Sequence, residues 1–100
     1  MTDRRRTSRL SVDLFVNKYI RGYPYLCRTV DVSRDGLLAE TFTEPTSEVD
    51  SFALEFQIPG LDHSIWAWAR SVRRDDDLQA IEFVSMDAAD RELLASFVPA

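Results

Sequence analysis

The sequence contains little of what most catalytic and metal sites require. Its 100 residues include one cysteine, Cys27, and one histidine, His63. An internal disulfide is therefore excluded, and these two side chains cannot make a structural zinc site. No phosphate-cradling glycine loop is present, and no nucleophile–base pair can be assembled around His63. The sequence predicts a binding module and not an enzyme, with no metal and no cofactor.

Long apolar runs are also missing. No stretch approaches the ~20 residues that a membrane helix needs. The N-terminus is arginine-rich but lacks the apolar run of a secretory signal, so we expect a cytoplasmic protein without membrane insertion. A hydrophobic content of 45% and a charged content of 29% are ordinary for a globular chain, and this length predicts one domain.

Basic charge is scarce and concentrated at one end. The formal net charge is −5, yet four arginines face a single aspartate in the first nine residues, while the rest of the chain holds 8 basic and 16 acidic residues. All basic residues except Lys18 are arginines. A short guanidinium arm on an acidic body suits a compact ligand with several negative charges, such as a nucleotide, better than a nucleic acid.

The hydrophobic pattern predicts short strands. Apolar and polar residues alternate along 12–20, 25–32 and 52–58, and further apolar stretches lie at 37–39, 65–72 and 78–84. Turn residues separate these stretches at Arg21–Pro24 and Asp75–Asp77, and we interpret the second turn as a solvated hairpin rather than a divalent-metal site. Six such strands predict a meandering antiparallel sheet closed into a barrel.

Only the last segment has a helical period. Asp87 is placed to cap a helix, and Pro99 to end it. The apolar stripe between them consists of Leu93, Leu94, Phe97 and Val98. We predict one helix over about 87–98 that covers a side or a mouth of the barrel. The expected organisation is a flexible arm, residues 1–11, followed by one barrel domain, residues 12–100.

Two motifs carry the candidate binding chemistry. Arg5 and Arg9 form an R-x-x-x-R pattern in the arm, and Asp31, Ser33 and Gly36 form a D-x-S-x-x-G pattern further along the chain. A guanidinium can grip a phosphate through two N–H donors or stack on a purine. Asp31 can accept from the N1–H and N2–H edge of guanine, Ser33 adds a short hydroxyl, and Gly36 permits close approach or a positive φ.

Hairpin geometry predicts that the two motifs meet. If the first turn centres near residues 22 and 23, the numbers of paired residues sum to about 45, because antiparallel strands pair symmetrically about their turn. Ser33 then lies opposite about Val12, and Gly36 lies opposite about Arg9. We therefore expect both motifs at one end of the same hairpin.

On these five positions the sequence resembles the PilZ domain, the bacterial cyclic di-GMP receptor module. The resemblance covers nearly the whole chain and extends to the strand that ends at Pro59–Gly60, to the closing strand at 80–83 and to the final helix. It implies a six-stranded antiparallel β-barrel with a C-terminal helix. One position departs from the family: Ala80 stands where members often carry glycine, and it could crowd the barrel wall or the edge of the ligand.

The resemblance also implies a function. The chain is expected to bind cyclic di-GMP, to order its arm on binding and to signal through an effector protein that the sequence does not identify. In this family the residue before R-x-x-x-R, here Arg4, is associated with whether one nucleotide or an intercalated pair is held. Arg4 therefore predicts two nucleotides per protomer.

The alternative is an interaction adaptor with the same barrel and a vestigial nucleotide site. Trp66 and Trp68 or the final helix would then be its working surface. The two tryptophans share one face of their strand, and the opposite face carries small residues that suit the interior of a narrow barrel. The sequence leaves open whether the helix covers these rings, whether they form an exposed partner patch or whether they stack on a ligand.

Overall fold

The computed structural model describes residues 8–44 and 49–98. These residues form seven strands and one helix: β1 (Leu10–Ser11), β2 (Phe15–Ile20), β3 (Tyr23–Val32), β4 (Gly36–Thr41), β5 (Ser51–Phe56), β6 (Ile65–Asp75), β7 (Leu78–Met86) and α1 (Ala88–Phe97). The six long strands and the C-terminal helix confirm the predicted fold class. The short β1 was not predicted, and it places residues 10 and 11 of the expected arm in the sheet.

The six long strands close into an antiparallel barrel. Their order is β3-β2-β5-β6-β7-β4, and β4 pairs back with β3, so each strand has a neighbour on both sides. The prediction of a simple meander was wrong. After β4 the chain does not continue to an adjacent strand, because β5 pairs with β2 and β4 pairs with β7. Closure of the sheet in this way removes the free edges that an open sheet would expose.

Alternation along the strands separates the barrel interior from its outer face. Ile65, Ala67 and Ala69 on β6 are buried, whereas Trp66 and Trp68 between them are 49% and 48% exposed. The predicted orientation of this strand is confirmed. Small interior residues allow opposite walls of a narrow barrel to approach, since every other residue of a barrel strand must fit inside.

The helix begins and packs as the sequence predicted. Asp87 caps it, because its Oδ1 accepts hydrogen bonds from the backbone N–H groups of Ala89 and Asp90 at 2.9 and 3.4 Å. Leu94 and Val98 are completely buried and join the core cluster of the barrel. The apolar stripe therefore seals part of the core, although its other two members are only half-buried.

One interior position carries a charge. Lys18 on β2 is 1% exposed, and its Nζ donates to Glu44 Oε1 at 2.8 Å and to Gln79 Oε1 at 2.6 Å. The ammonium also lies 5.1 Å from the centre of the Phe52 ring. Arg74 donates to the same carboxylate oxygen of Glu44 at 2.8 Å. A buried ionic network therefore lies in the barrel interior, and the sequence analysis did not predict it.

Candidate functional site

The hairpin that carries both motifs turns earlier than predicted. Arg21 and Gly22 form a two-residue turn, and both have positive φ values, 54° and 87°. Positive φ at both central residues is typical of the type I′ turn, whose twist matches that of the flanking strands. Ile20 therefore pairs with Tyr23 and not with Tyr25. The predicted register was wrong by two residues.

A bulge then shifts the register by one residue more. Residues 12–14 stand opposite only two residues of β3, 29 and 30, before Ser11 pairs with Asp31. Thr29 holds this bulge: its hydroxyl donates to the Val12 carbonyl at 2.6 Å and accepts from the Leu14 N–H at 2.8 Å. On the other side of β3, the pairing with β4 is irregular between Thr29 and Asp31. Bulges commonly redirect side chains beside functional sites, and here two of them flank Asp31.

This register brings Arg9 to Asp31. The Arg9 NH1 group donates to Asp31 Oδ1 at 2.7 Å, with the Arg9 side chain 54% exposed and the Asp31 side chain 19% exposed. The predicted meeting of the two motifs is therefore observed, but the partner of Arg9 is Asp31 and not Gly36. The ion pair uses one guanidinium nitrogen and one carboxylate oxygen. The remaining Arg9 N–H donors and Asp31 Oδ2 keep their capacity for further hydrogen bonds.

Ser33 builds the turn that follows Asp31. Its Oγ accepts from the backbone N–H groups of Asp35 and Gly36 at 3.2 and 3.1 Å and donates to the Gly36 carbonyl at 3.2 Å. The residue is 3% exposed. Since a hydroxyl has one proton and two lone pairs, these three bonds use its full capacity. These bonds give Ser33 a positioning role in the turn after Asp31.

Gly36 is required by the packing of two strands. A Cβ atom at this position would overlap the carbonyl oxygen of Ile81 on β7 and would lie 3.1 Å from the Glu82 Cα. Of the two reasons that the sequence offered for this glycine, close approach applies and a positive φ does not, because only Gly22 and Gly60 among the described glycines have positive φ. The strand that approaches Gly36 belongs to the barrel itself.

Residues 3–99 match the PilZ domain family. The chain is a PilZ domain. Arg4 and Arg5, the two further site residues predicted from the arm, lie outside the described residues, as does the expected ordering of residues 1–7. Among the described residues, Arg9, Asp31, Ser33 and Gly36 occupy the positions of the two family motifs that the sequence analysis identified.

Solved structures share the fold of this PilZ domain. The Bacillus subtilis inhibitor of motility (MotI/DgrA) superposes with a TM-score of 0.80 at 18% identity, over 96% of this chain and 50% of that one. The chain thus spans half the length of that protein. The PilZ domain of YcgR from Escherichia coli, described with c-di-GMP, superposes with a TM-score of 0.71 at 18% identity, over 96% of this chain and 89% of that one.

An uncharacterized Legionella protein gives a TM-score of 0.61 at 16% identity, over 89% of this chain and 87% of that one. A search of curated proteins gave no significant match. Within residues 8–44 and 49–98, no helix has the length and apolar character needed to cross a membrane.

Ala80 does not enter the interior of the PilZ barrel. It is half-buried and alternates on β7 with the buried residues Gln79 and Ile81, which places it on the outer face. Its partner on β4 is Leu38. Crowding of the barrel wall or of the edge of the ligand, the two expectations for this departure from the family, stays a prediction.

Three other features that the sequence singled out, the histidine, the aspartate-rich turn and the cysteine, make contacts that belong to the fold. His63 is exposed and bonds through Nδ1 to Asp62 at 3.2 Å and through Nε2 to Asp90 at 3.0 Å, which raises its pKa. Asp76 and Asp77 form the turn between β6 and β7, as predicted, and no metal-binding cluster of three or more acidic, histidine or cysteine side chains occurs in the described part of the chain. Burial raises the pKa of the Cys27 thiol to about 11, so the protonated form dominates at neutral pH.

Proposed function

We propose that this PilZ domain binds cyclic di-GMP and acts as a receptor for it. The observation that carries the proposal is the contact between Arg9 and Asp31, because it joins the two motifs of the family in one exposed site. The E. coli YcgR domain, which has the same fold, is described with this nucleotide, and the B. subtilis neighbour is an inhibitor of motility. The first supports a ligand-binding role, and the second supports a role in motility control.

Asp31 would recognise guanine and Arg9 would hold phosphate or a base face. Asp31 Oδ2 accepts no hydrogen bond from the described residues, so it can accept from the N1–H or N2–H group of guanine. Hydrogen bonds to charged groups contribute ~1.5–3 kcal/mol, whereas an exposed ion pair contributes only ~0–1 kcal/mol. The ligand can therefore draw Arg9 away from Asp31 at a small cost. In the free protein the pair keeps both groups near the positions they need.

Ser33 and Gly36 would support the site without making its main contacts. The Ser33 hydroxyl fixes the turn that begins two residues after Asp31, and Gly36 lets β4 approach β7. Both effects set the position of the Asp31 backbone relative to the arm. We propose that replacing either residue weakens binding through this geometry.

Arg4 and Arg5 complete the proposed site from the arm. Arg5 would clamp a phosphate or a guanine face, and Arg4 would contact the outer base of an intercalated nucleotide pair. We propose two cyclic di-GMP molecules per protomer and an arm that becomes ordered on binding. Fixing each backbone residue costs ~1–2 kcal/mol, which a ligand with two phosphates and two guanines can offset better than GMP can. The ordered arm would present a new surface to an effector protein.

Isothermal titration calorimetry with cyclic di-GMP tests the site. Losing Arg9 or Asp31 removes a hydrogen bond to a charged group, so Arg9→Ala and Asp31→Asn should each weaken binding about tenfold or more. Arg28→Ala is the matched control. Arg28 forms a similar exposed pair with Asp13, at 2.7 and 2.8 Å, and it lies earlier on the same strand as Asp31.

Separate outcomes test the function, the site, the role of Arg4 and the ordering of the arm. No heat with cyclic di-GMP at tens of micromolar protein would refute the function. Unchanged affinity in Arg9→Ala, or an equal loss in Arg28→Ala, would refute the site. A wild-type stoichiometry of one, with no change in Arg4→Leu, would refute the role of Arg4, and unchanged amide exchange across residues 2–10 on binding would refute arm ordering.

A further inference from the structure

A groove on the outer face of the barrel plays no part in the proposed nucleotide site. It has a volume of about 430 Å³, and it lies where β5, β6 and the end of β7 meet the start of α1. We call it the tryptophan groove. Its principal lining residues are Ala53, Trp66, Trp68, Met86, Asp87 and Asp90. The chain has no tryptophan other than these two.

The helix leaves the groove open. α1 buries Leu94, and Val98 directly after it is buried as well, whereas the N-terminal end of α1 forms one wall of the groove. About half of each tryptophan side chain is exposed, so helix cover, one of the three possibilities left by the sequence, is not what the structure shows. The Tyr19 ring packs beside Trp66 with its centre 5.3 Å away and holds that indole in place.

The rim of the groove is acidic. Asp87 and Asp90 line it, and Glu55 pairs with Trp66 across β5 and β6. No arginine, lysine or histidine is among the described lining residues. His63, which lies outside the lining, bonds through Nε2 to Asp90 Oδ1 at 3.0 Å, so among the described residues Asp87 and Glu55 are the rim carboxylates without a cationic partner. The Asp87 cap and the two bonds that Glu55 accepts from Asn17 and Tyr19 each use one carboxylate oxygen. The other oxygen of both groups retains its capacity to accept.

The indole and carboxylate groups of the groove favour one class of ligand. Indole faces attract cations, and carboxylates bind guanidinium or ammonium groups. Both therefore favour a cationic ligand, and the carboxylates repel a phosphate. β6 pairs with β5 over Ile65–Arg70 and with β7 over Ala67–Asp75, so it is flanked on both sides at Trp68 and a peptide must bind there through its side chains. Met86 and Ala53 supply the apolar surface between the rings and the acidic rim.

We propose that the tryptophan groove binds a segment of a partner protein that presents arginine or lysine beside an apolar side chain. The basic group lies against the indole rings and bonds to Asp87, Asp90 or Glu55, and the apolar side chain fills the groove next to Met86. This interaction surface is separate from the nucleotide site in sequence and in the barrel. It stands whether or not the domain binds cyclic di-GMP.

Intrinsic fluorescence tests the proposal directly, because both tryptophans report from the groove. The probe is a short synthetic peptide of alternating leucine and arginine, compared with the same peptide carrying glutamate in place of arginine. We expect saturable binding of the cationic peptide alone, which weakens as salt increases. Trp66→Ala should weaken it about tenfold, with Trp68 as the remaining reporter.

Charge variants keep the test independent of any folding defect. Asp87→Asn combined with Asp90→Asn should also weaken binding about tenfold, and asparagine at 87 retains the ability to cap the helix. The control is Asp76→Asn, which removes one negative charge at the distant β6–β7 turn. Asp76 has a positive φ of 56°, a conformation that asparagine adopts readily.

Four results would overturn the proposal. Two are equal binding of the cationic and anionic peptides, and an equal effect of Asp76→Asn and the double variant. The third is self-association that Trp66→Ala abolishes, since it would make a second copy of the chain the occupant. The fourth is quenching by cyclic di-GMP that survives Arg9→Ala, since it would make the nucleotide the occupant.

Discussion

Replacing Lys18 by methionine should destabilise the barrel by about 3 kcal/mol, the low end of the cost of breaking a buried ion pair. Methionine has a similar length and no charge, so the substitution removes the ammonium without leaving a large cavity. Glu44, whose side chain is 8% exposed, then loses its fully buried partner. Arg74 still contacts the same oxygen, but that arginine is 43% exposed, so its charge is well solvated and it compensates Glu44 only in part.

Glu44 is the other member of the buried pair. Its Oε2 atom is buried and accepts no hydrogen bond from the described part of the chain. Neutralising the carboxylate should therefore recover stability once Lys18 is gone, because an unpaired buried charge costs more than a neutral amide. We expect Glu44→Gln to destabilise the wild-type protein but to stabilise the Lys18→Met variant. The two substitutions should show a coupling energy of about 2 kcal/mol, within the ~0.5–3 kcal/mol range of residues in contact.

Urea denaturation of the four proteins, followed by circular dichroism, measures these terms. A loss of about 3 kcal/mol should also lower the melting temperature by roughly 12–24 °C for a domain of this size. Arg73→Met on the exposed end of β6 is the control for removing a cation, and a surface change of this kind should stay within about 0.5 kcal/mol. Lys18→Met as stable as wild type, or additive effects of the two substitutions, would refute the argument that the buried charges depend on each other.

Three further predictions follow from single contacts. The pKa of His63 should lie above its ordinary value near 6.5, since Asp90 favours the protonated ring. The contribution of this contact to stability is fully present below pH 6.5 and is lost as the pH rises through the folded-state pKa. An NMR titration in which Asp90→Asn leaves the pKa of the ring unchanged would contradict this prediction. Cys27, with a pKa near 11, should react with a thiol reagent at neutral pH only after unfolding, and rapid labelling of the native protein would show that the core is open. Gly36→Ala should cost about 1–3 kcal/mol in thermal unfolding, because the added methyl overlaps the Ile81 carbonyl, and unaltered stability would mean that the strands separate easily.

Local patterns in the sequence predicted the strands, the helix and the residues of the candidate site. Alternation placed Ala67 inside the barrel and Trp68 outside it, and the cap at Asp87 located the start of the helix. These features depend on residues close together in the chain. The two motifs likewise pointed to Arg9 and Asp31, which the structure brings into contact.

The register of the first hairpin required the tertiary structure. The alternation of β2 and β3 does not reveal that the turn contains two residues, or that Thr29 holds an extra residue in a bulge. Each shift changes which side chains face each other, so Arg9 meets Asp31 and not Gly36. Turn type and bulges depend on φ values and hydrogen bonds that a hydrophobicity pattern does not encode.

The interior charge and the strand order were decided at longer range. The period of β2 pointed position 18 inward, but a lysine there is stable only because Glu44 and Gln79, 26 and 61 residues away, converge on it. Gly36 similarly needs β7, which pairs with β4 across the closed barrel. The sequence alone determines which residues alternate, because alternation is a local property. Closure of the barrel decides which distant side chains compensate a buried charge, because that depends on strands far apart in the chain.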